Sequence, residues 1–181
     1  MAYVGLSKIV AAIYDEKTNL YKDGFRLGKA IKVDVSPNYE DVTDYNDLND
    51  LGDEQVFTHA DIELGTSHTS IEEEQRAFGH TRKNDEIVSR NTDLSNYLGV
   101  GITTKEVIGG VKRYIAIWLH KVKLYESGKT YNTKGESIEY TTPTTKGKAI
   151  PCENGEWRTK RIFETEEQAD SWLNTLAGIK E

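Results

Sequence analysis

The residue types most able to do chemistry are concentrated between Pro37 and Val56, in a strongly acidic segment. It holds seven acids and no base. Acidic loops bind calcium when oxygen ligands alternate, with a glycine at position six and a glutamate at position twelve. Setting Gly52 at position six puts Leu51 and Thr58 at two positions that need a ligand. The spacing therefore does not support a specific calcium site.

The same segment has an apolar row beside its acids. Acids recur at every third residue through its middle, and apolar residues follow one place later at the same spacing. A stretch this charged cannot bury enough apolar surface to offset its ordering entropy alone. We expect residues 37–56 to form a long loop that is either solvated or ordered by a neighbouring subunit. The predicted contact residues are Tyr39, Asp41, Val42, Asp44, Tyr45, Asp47, Leu48, Asp50, Leu51 and Asp53.

Other catalytic and metal-binding patterns are missing from the sequence. The histidines have no zinc-ligand spacing such as HExxH, and there is neither a GxSxG elbow nor a phosphate loop. The nearest glycine cluster, Gly99-Val100-Gly101, lacks the third glycine of a dinucleotide loop. We predict that the protein is not an enzyme and that it uses no metal or cofactor. The four histidines are His59, His68, His80 and His120.

Composition indicates an acidic domain that is long enough to bury a hydrophobic core. The chain has 181 residues, with 23 bases against 30 acids and a net charge of −7. That charge argues against tight nucleic-acid binding, but suits a surface past which nucleic acid slides. The single Cys152 excludes an intrachain disulfide. Because there is no signal peptide or spanning apolar run, we expect cytoplasmic synthesis and no membrane partner.

The elements that position these residues are mostly strands. A short apolar run covers Ile9 to Tyr14, and apolar and polar residues alternate from Leu27 to Val35 and from Phe57 to Leu64. Further strands are predicted at Ser137 to Thr142 and at Trp157 to Phe163. In the second strand the expected apolar face is Leu27, Ile31, Val33 and Val35.

The strongest local signal is a hairpin, VGITTKEVIGGVKRYIAIWLHKVKL. Gly109 and Gly110 suit the two positions of a primed turn, where positive φ is required. The return strand, Val111 to Leu124, is apolar on both faces and therefore belongs in a sheet covered on both sides. The cover is a second sheet, a helix or another subunit. Its predicted core residues are Ile115, Ile117, Trp118 and Leu119.

Two helices have readable ends. Thr69 or Ser70 suits the N-cap of a helix over Ile71 to Phe78 that Gly79 ends. A capping box of Thr165 and Gln168 predicts a second helix that ends at Gly178. We therefore expect one β domain over residues 1–150, with a strand and a helix from residues 151–181 packed on it.

Seven blocks follow one another in a fixed order over residues 1 to about 150. They are MAYVGLSK, DGFRLGKAIKVDVSPNYED, ADIELGT, FGHT, SNYLGVGITT, VKRYIAIWLHKVKL and TKGESIEYTTPTTKGKAI. No single block is a chemical motif, but their order and spacing resemble those of one family. It is the major tail protein family of bacteriophages with long, non-contractile tails.

The resemblance implies a mainly β tail-tube subunit: a β-sandwich of barrel-forming sheets with a flanking helix and a C-terminal helix. In that family, hexameric rings stack into a hollow tube that conducts genomic DNA during ejection. The implied partners are copies of the chain itself, a tape-measure protein inside the tube, and terminator and tail-tip or baseplate proteins. The implied location is the host cytoplasm during assembly and then the virion tail.

A DNA conduit should repel phosphate, and acids on strand faces are candidates for such a lining. The predicted lumen residues are Asp34, Asp61, Glu63 and Glu139. Lys32, Lys121 and Lys123 also lie on predicted strands, so the sequence leaves open which face turns inward. Two alternatives remain: a related ring-forming connector, such as a terminator or baseplate component, and a stand-alone β-sandwich module that binds saccharide or protein.

Overall fold

A computed structural model describes residues 2–42, 54–67, 70–108, 110–128 and 144–179, and this part of the chain is mainly β, as predicted. It contains nine strands and two helices in the described ranges. In chain order they are β1 (Ala2–Asp15), β2 (Leu20–Val42), β3 (Glu54–Thr66), α1 (Ile71–Phe78), β4 (Thr81–Lys83), β5 (Glu86–Val88), β6 (Tyr97–Ile108), β7 (Val111–Glu126), β8 (Thr144–Ala149), β9 (Arg158–Phe163) and α2 (Glu166–Ala177).

Six of the described strands close into an antiparallel barrel. The order is β6-β1-β2-β3-β8-β7, and β7 pairs again with β6 to complete the circuit. A path that moves from each residue to its paired neighbour around the barrel starts at Lys22 of β2 and ends at Pro37 of the same strand. The two ends of this path are fifteen residues apart (37 minus 22). The pairs are Lys22–Ile13, Ile13–Leu98, Leu98–Val122, Val122–Ala149, Ala149–Ala60 and Ala60–Pro37. So large an offset requires strands that are steeply tilted to the barrel axis.

The barrel interior is the main hydrophobic core. Alternate residues of each strand point inward, as the strand period of two requires. Helix α1 packs against this core with Ala77 and Phe78, both buried. The buried strand residues are Ile9, Ala11, Phe25, Leu27, Ala60, Ile62, Leu64, Leu98, Val100, Ile102, Leu119, Val122, Leu124 and Ala149.

A second core lies outside the barrel, under helix α2. Ala169, Leu173 and Ala177 of α2 pack against a group of strand residues that includes Trp118. Strand β7 is therefore buried on both faces, by the barrel core on one side and by a helix of the same chain on the other. Trp118 and Leu119 are fully buried, and Ile115 is buried. Ile117 is half-buried and packs on the barrel core.

Two glycines of β6 leave room for the Trp118 ring. A Cβ on Gly99 would sit 2.5 Å from Tyr21 Cε1 and closer still to the Trp118 indole. A Cβ on Gly101 would sit 2.7 Å from Val10 Cγ2 and 2.9 Å from Trp118 Cε3. Real Cβ atoms do not approach other heavy atoms this closely, so the cluster Gly99-Val100-Gly101 serves packing.

The predicted helix ends are confirmed. Ser70, not Thr69, is the N-cap of α1; it forms a capping box with Glu73, and Gly79 is left-handed at φ 72°. Thr165 is the N-cap of α2 and accepts a hydrogen bond from the Gln168 N–H, which is one of the two bonds of the predicted capping box, and Gly178 ends α2. In the β6–β7 hairpin Ile108 pairs with Val111, and Gly110 has φ 82°. Gly109 lies outside the described residues.

Three strand predictions need correction. Strand β1 begins seven residues before Ile9, because its first residues pair with β6. Ile31 is 54% exposed, although alternation predicts it to face the core, because the register shifts between Ala30 and Lys32. Strand β8, Thr144–Ala149, is not predicted, and the strand predicted at residues 137–142 lies outside the described residues.

We expect Gly99→Ala to destabilise the protein by about 1–3 kcal/mol, because the added methyl overpacks the Trp118 site. Chemical denaturation measures this change. The control is Gly128→Ala, where nothing lies within 4 Å of the new Cβ. Equal stability of the two variants would show that the space beside Trp118 is not tightly packed.

Candidate functional site

The hairpin of β2 and β3 extends beyond the barrel. Strand β2 pairs with β1 only as far as Lys29, and β8 pairs with β3 only from Ala60 onward. Residues 38–42 and 54–59 therefore pair with each other and, among the described strands, with no other. We call these residues the arm.

The arm corrects the predicted limits of the acidic loop. Tyr39, Asp41 and Val42 lie on β2, opposite Phe57, Gln55 and Glu54 respectively. Tyr39 packs edge-on against Phe57, with ring centroids 5.8 Å apart, and cross-strand aromatic pairs of this kind stabilise a ladder. The remaining predicted residues lie outside the described part, and their roles stay predictions. These are Asp44, Tyr45, Asp47, Leu48, Asp50, Leu51 and Asp53 of the contact loop, and Glu139 of the lumen set.

Aromatic stacking fixes the base of the arm against the barrel. The Phe57 ring stacks on Trp157 with centroids 4.3 Å apart and planes 13° apart. The Arg158 guanidinium lies 4.2 Å from the Trp157 ring centroid. The Trp157 carbonyl accepts a hydrogen bond from the His120 N–H at 3.0 Å, which ties the stack to β7. These contacts set the direction in which the arm leaves the barrel.

Strand β2 has an open edge along the arm and just before it. From Ile31 to Val42 its only described partner is β3. Large apolar side chains nearby are exposed: Ile31 at 54%, Tyr39 at 53% and Val56 at 48%. An open edge of this length is a template for a strand from another chain. It is the best candidate contact surface in the described residues.

The predicted lumen acids Asp34, Asp61 and Glu63 lie together on the outward face of β2 and β3. Asp34 stands directly opposite Glu63, an arrangement of like charges that destabilises a sheet unless it is neutralised. Lys32 offsets part of this repulsion, with Nζ 2.5 Å from Asp34 Oδ2 and 3.5 Å from Glu63 Oε1. The hydrogen bond to Asp34, followed by the charges of both acids, raises the pKa of Lys32. That this face lines a lumen stays a prediction.

The FGHT block joins α1 to the barrel through His80. Its Nδ1 lies 2.9 Å from Asp93 Oδ2, and its Nε2 lies 3.7 Å from Glu126 Oε2. Asp93 also accepts from the Arg90 backbone N–H at 2.8 Å. That backbone bond, with the His80 bond second, holds the pKa of Asp93 below its usual range. Sequence reasoning missed this role because the partners of His80 are distant along the chain.

A cleft lined by Tyr14, Tyr21, His120 and Cys152 holds the strongest remaining candidates for chemistry. His120 Nε2 lies 2.8 Å from Thr159 Oγ1, and the Tyr21 hydroxyl donates to the His120 carbonyl at 3.0 Å. Burial lowers the pKa of His120 and raises the pKa of Tyr21 to about 12. These bonds join β2, β7 and β9, so they account for both side chains structurally.

Neither a metal centre nor a membrane span is found in the described part of the chain. No group of three or more His, Cys, Asp or Glu side chains there is placed to hold a metal ion. None of the described helices is long and apolar enough to cross a membrane. The prediction that the protein is not an enzyme stays a prediction.

Comparison with protein-family models gives no match, and comparison with curated proteins gives no significant match.

We expect Asp93→Asn to lower stability at neutral pH and to flatten its dependence on pH. A carboxylate with a depressed pKa stabilises the fold above its unfolded pKa, and this contribution is lost as pH falls through the folded pKa. Urea denaturation of the wild type and the variant should therefore converge in acid. The control is Asp85→Asn, at an exposed turn position between β4 and β5. An equal gap between Asp93→Asn and wild type at every pH would contradict the linkage.

Proposed function

We propose that the chain is a tail-tube subunit, which forms hexameric rings that stack into a hollow tube for DNA. The observation that supports this most is the arm with its open edge on β2. A compact barrel needs no such extension for its own core. Under this proposal, another copy of the chain covers the open edge of β2.

Strand pairing between copies accounts for both levels of assembly. Adding a strand to an open edge supplies main-chain hydrogen bonds and removes a site of uncontrolled aggregation. Head-to-tail contacts close a ring when the rotation between copies closes, and contacts repeated along an axis build a filament. A rigid barrel with a projecting arm offers one body for the ring and one element to reach a neighbour.

The outward face of β2, β3, β8 and β7 suits a tube lumen. It is polar, and its opposite side is the packed barrel core, so it is held rigidly. Asp34, Asp61 and Glu63 all lie on it. Under this proposal the tape-measure protein and then DNA would meet this face. Terminator and tail-tip proteins would meet the two ends of the stack, in the host cytoplasm and later in the virion tail.

A ring-forming connector is the second candidate. An open edge can close a single ring as readily as it can contribute to a stack, and the acidic contact loop is the element that would decide between them.

Negative-stain electron microscopy at rising protein concentration tests the proposal. Hollow striated tubes support the tail-tube function, whereas six-fold rings that never stack support the connector. Monomers that persist even when seeded with tail tips would contradict both, and would favour a stand-alone binding module.

We expect a chain whose residues 43–53 are replaced by Asn-Gly to fold normally but to build tubes poorly. Val42 and Glu54 are directly paired, so a two-residue primed turn can join them without disturbing the arm. The loss would come from missing contacts to neighbours, because both described cores are built from residues that the shortened chain keeps. Circular dichroism measures folding, and microscopy measures tube length.

The control keeps the length of the segment and removes only its charge. It carries Asp44→Asn, Asp47→Asn, Asp50→Asn and Asp53→Asn. Normal tubes from the shortened chain would exclude the segment as an inter-subunit contact. Normal tubes from the neutral variant alone would assign the contact to the apolar row.

A further inference from the structure

The outward face of the barrel continues from the acids of β2 and β3 to lysines on β8 and β7. Neighbouring strands bring their side chains together in two rows across the sheet. The rows are Asp34–Glu63–Lys146–Tyr125 and Ser36–Asp61–Lys148–Lys123. Lys146 and Lys148 are exposed, and the residues between and after them, Gly147 and Ala149, are buried. The lysines therefore point away from the core.

The acids of this face already have partners in their own hairpin. Lys32 forms ion pairs with both Asp34 and Glu63. Asp61 accepts a hydrogen bond from Asn38 Nδ2 at 2.8 Å and lies 3.8 Å from His59 Nε2. Each of these three carboxylates thus has a hydrogen-bonding or charged partner within the hairpin of β2 and β3.

The lysines of β8 and β7 are not neutralised in this way. In the described part of the chain, Lys123, Lys146 and Lys148 form no ion pair with a carboxylate. Lys123 stands directly opposite Lys148, and like charges in that position destabilise a sheet. Lys123 Nζ lies 5.2 Å from the Tyr97 ring centroid, a contact that supports but does not neutralise it. Lys123, Lys146 and Lys148 are therefore the cations of this face that form no ion pair among the described residues, with Lys146 directly opposite Glu63 and Lys148 directly opposite Asp61.

We propose that Lys123, Lys146 and Lys148 form a contact surface for the phosphate backbone of nucleic acid. Ammonium groups on a sheet face meet phosphates as point charges, without reading bases. Three such contacts predict weak, sequence-independent binding whose logarithm falls with the logarithm of salt at a slope of about −2 to −3. A role for this contact in DNA passage depends on the proposed tail-tube function, whereas the binding itself does not.

An acidic protein segment is a less suitable partner for these lysines. Peptides are usually held by a sheet edge or by an apolar groove. The three lysines lie instead on a face whose strands β3, β8 and β7 are paired with one another. Duplex DNA is a uniformly charged rod and can contact this face without a strand edge or an apolar groove.

The test measures binding of a short labelled DNA duplex of random sequence to the full chain, by fluorescence anisotropy. Salt is varied between about 50 and 200 mM. The variant K123Q/K146Q/K148Q should lose at least about tenfold in affinity at the low end and most of the salt slope. The variant K123R/K146R/K148R should bind like the wild type.

The matched control K17Q/K83Q/K112Q removes the same charge from exposed lysines elsewhere, and should change affinity less than about twofold. Equal losses in the two glutamine variants would overturn the proposal, as would a wild type that does not bind. Tighter binding of polyglutamate than of duplex would reassign the surface to an acidic protein. Microscopy of the same samples reports assembly separately, so tubes without lysine-dependent binding contradict this inference alone.

Discussion

The burial of β7 on both faces is the constraint on which the rest of the molecule depends. On the barrel side Leu119 belongs to the main core, and on the outer side Trp118 supports α2. Both sides are satisfied only because Gly99 and Gly101 of the adjacent strand leave room for the indole. One strand thereby joins β6, β8, β9 and the C-terminal helix into one body. A rigid body of this kind is a precondition for any assembly that repeats one subunit geometry many times.

Strand β2 has to pair with both β1 and β3 for the barrel to close. It pairs with β1 over its first half and with β3 over its second. Irregularities near Gly28 and Ile31 let it change partners, with Gly28 at φ 51°. Because the circuit returns to β2 so far along its length, the strand runs on past the barrel. The open edge is thus a direct result of the tilt that closes the barrel.

Sequence reasoning succeeded where the signal was local. Ser70 and Gly79 mark α1 through hydrogen bonds within a few residues, and the two-sided apolar run of β7 is read directly from the chain. It failed where distant strands decide the outcome. The sequence of β8, TTKGKA, has little strand character of its own, and β8 exists because β3 and β7 both pair with it. The arm was not predicted for a similar reason. The acidic composition of the segment gives no sign that Tyr39 packs against Phe57 on the neighbouring strand.

The net charge of the chain and the positions of its charged residues likewise lead to different conclusions. A net charge of −7 predicts a surface that repels phosphate, and the acids of β2 and β3 fit that prediction taken singly. Their arrangement changes the conclusion, because Lys32 and Asn38 engage them while Lys123 and Lys148 face each other. Such a face neither repels a polyanion uniformly nor binds it tightly. Under the proposed function that balance is useful, since long-range repulsion from the whole chain would oppose the short-range attraction of a few lysines, and DNA could move without being held.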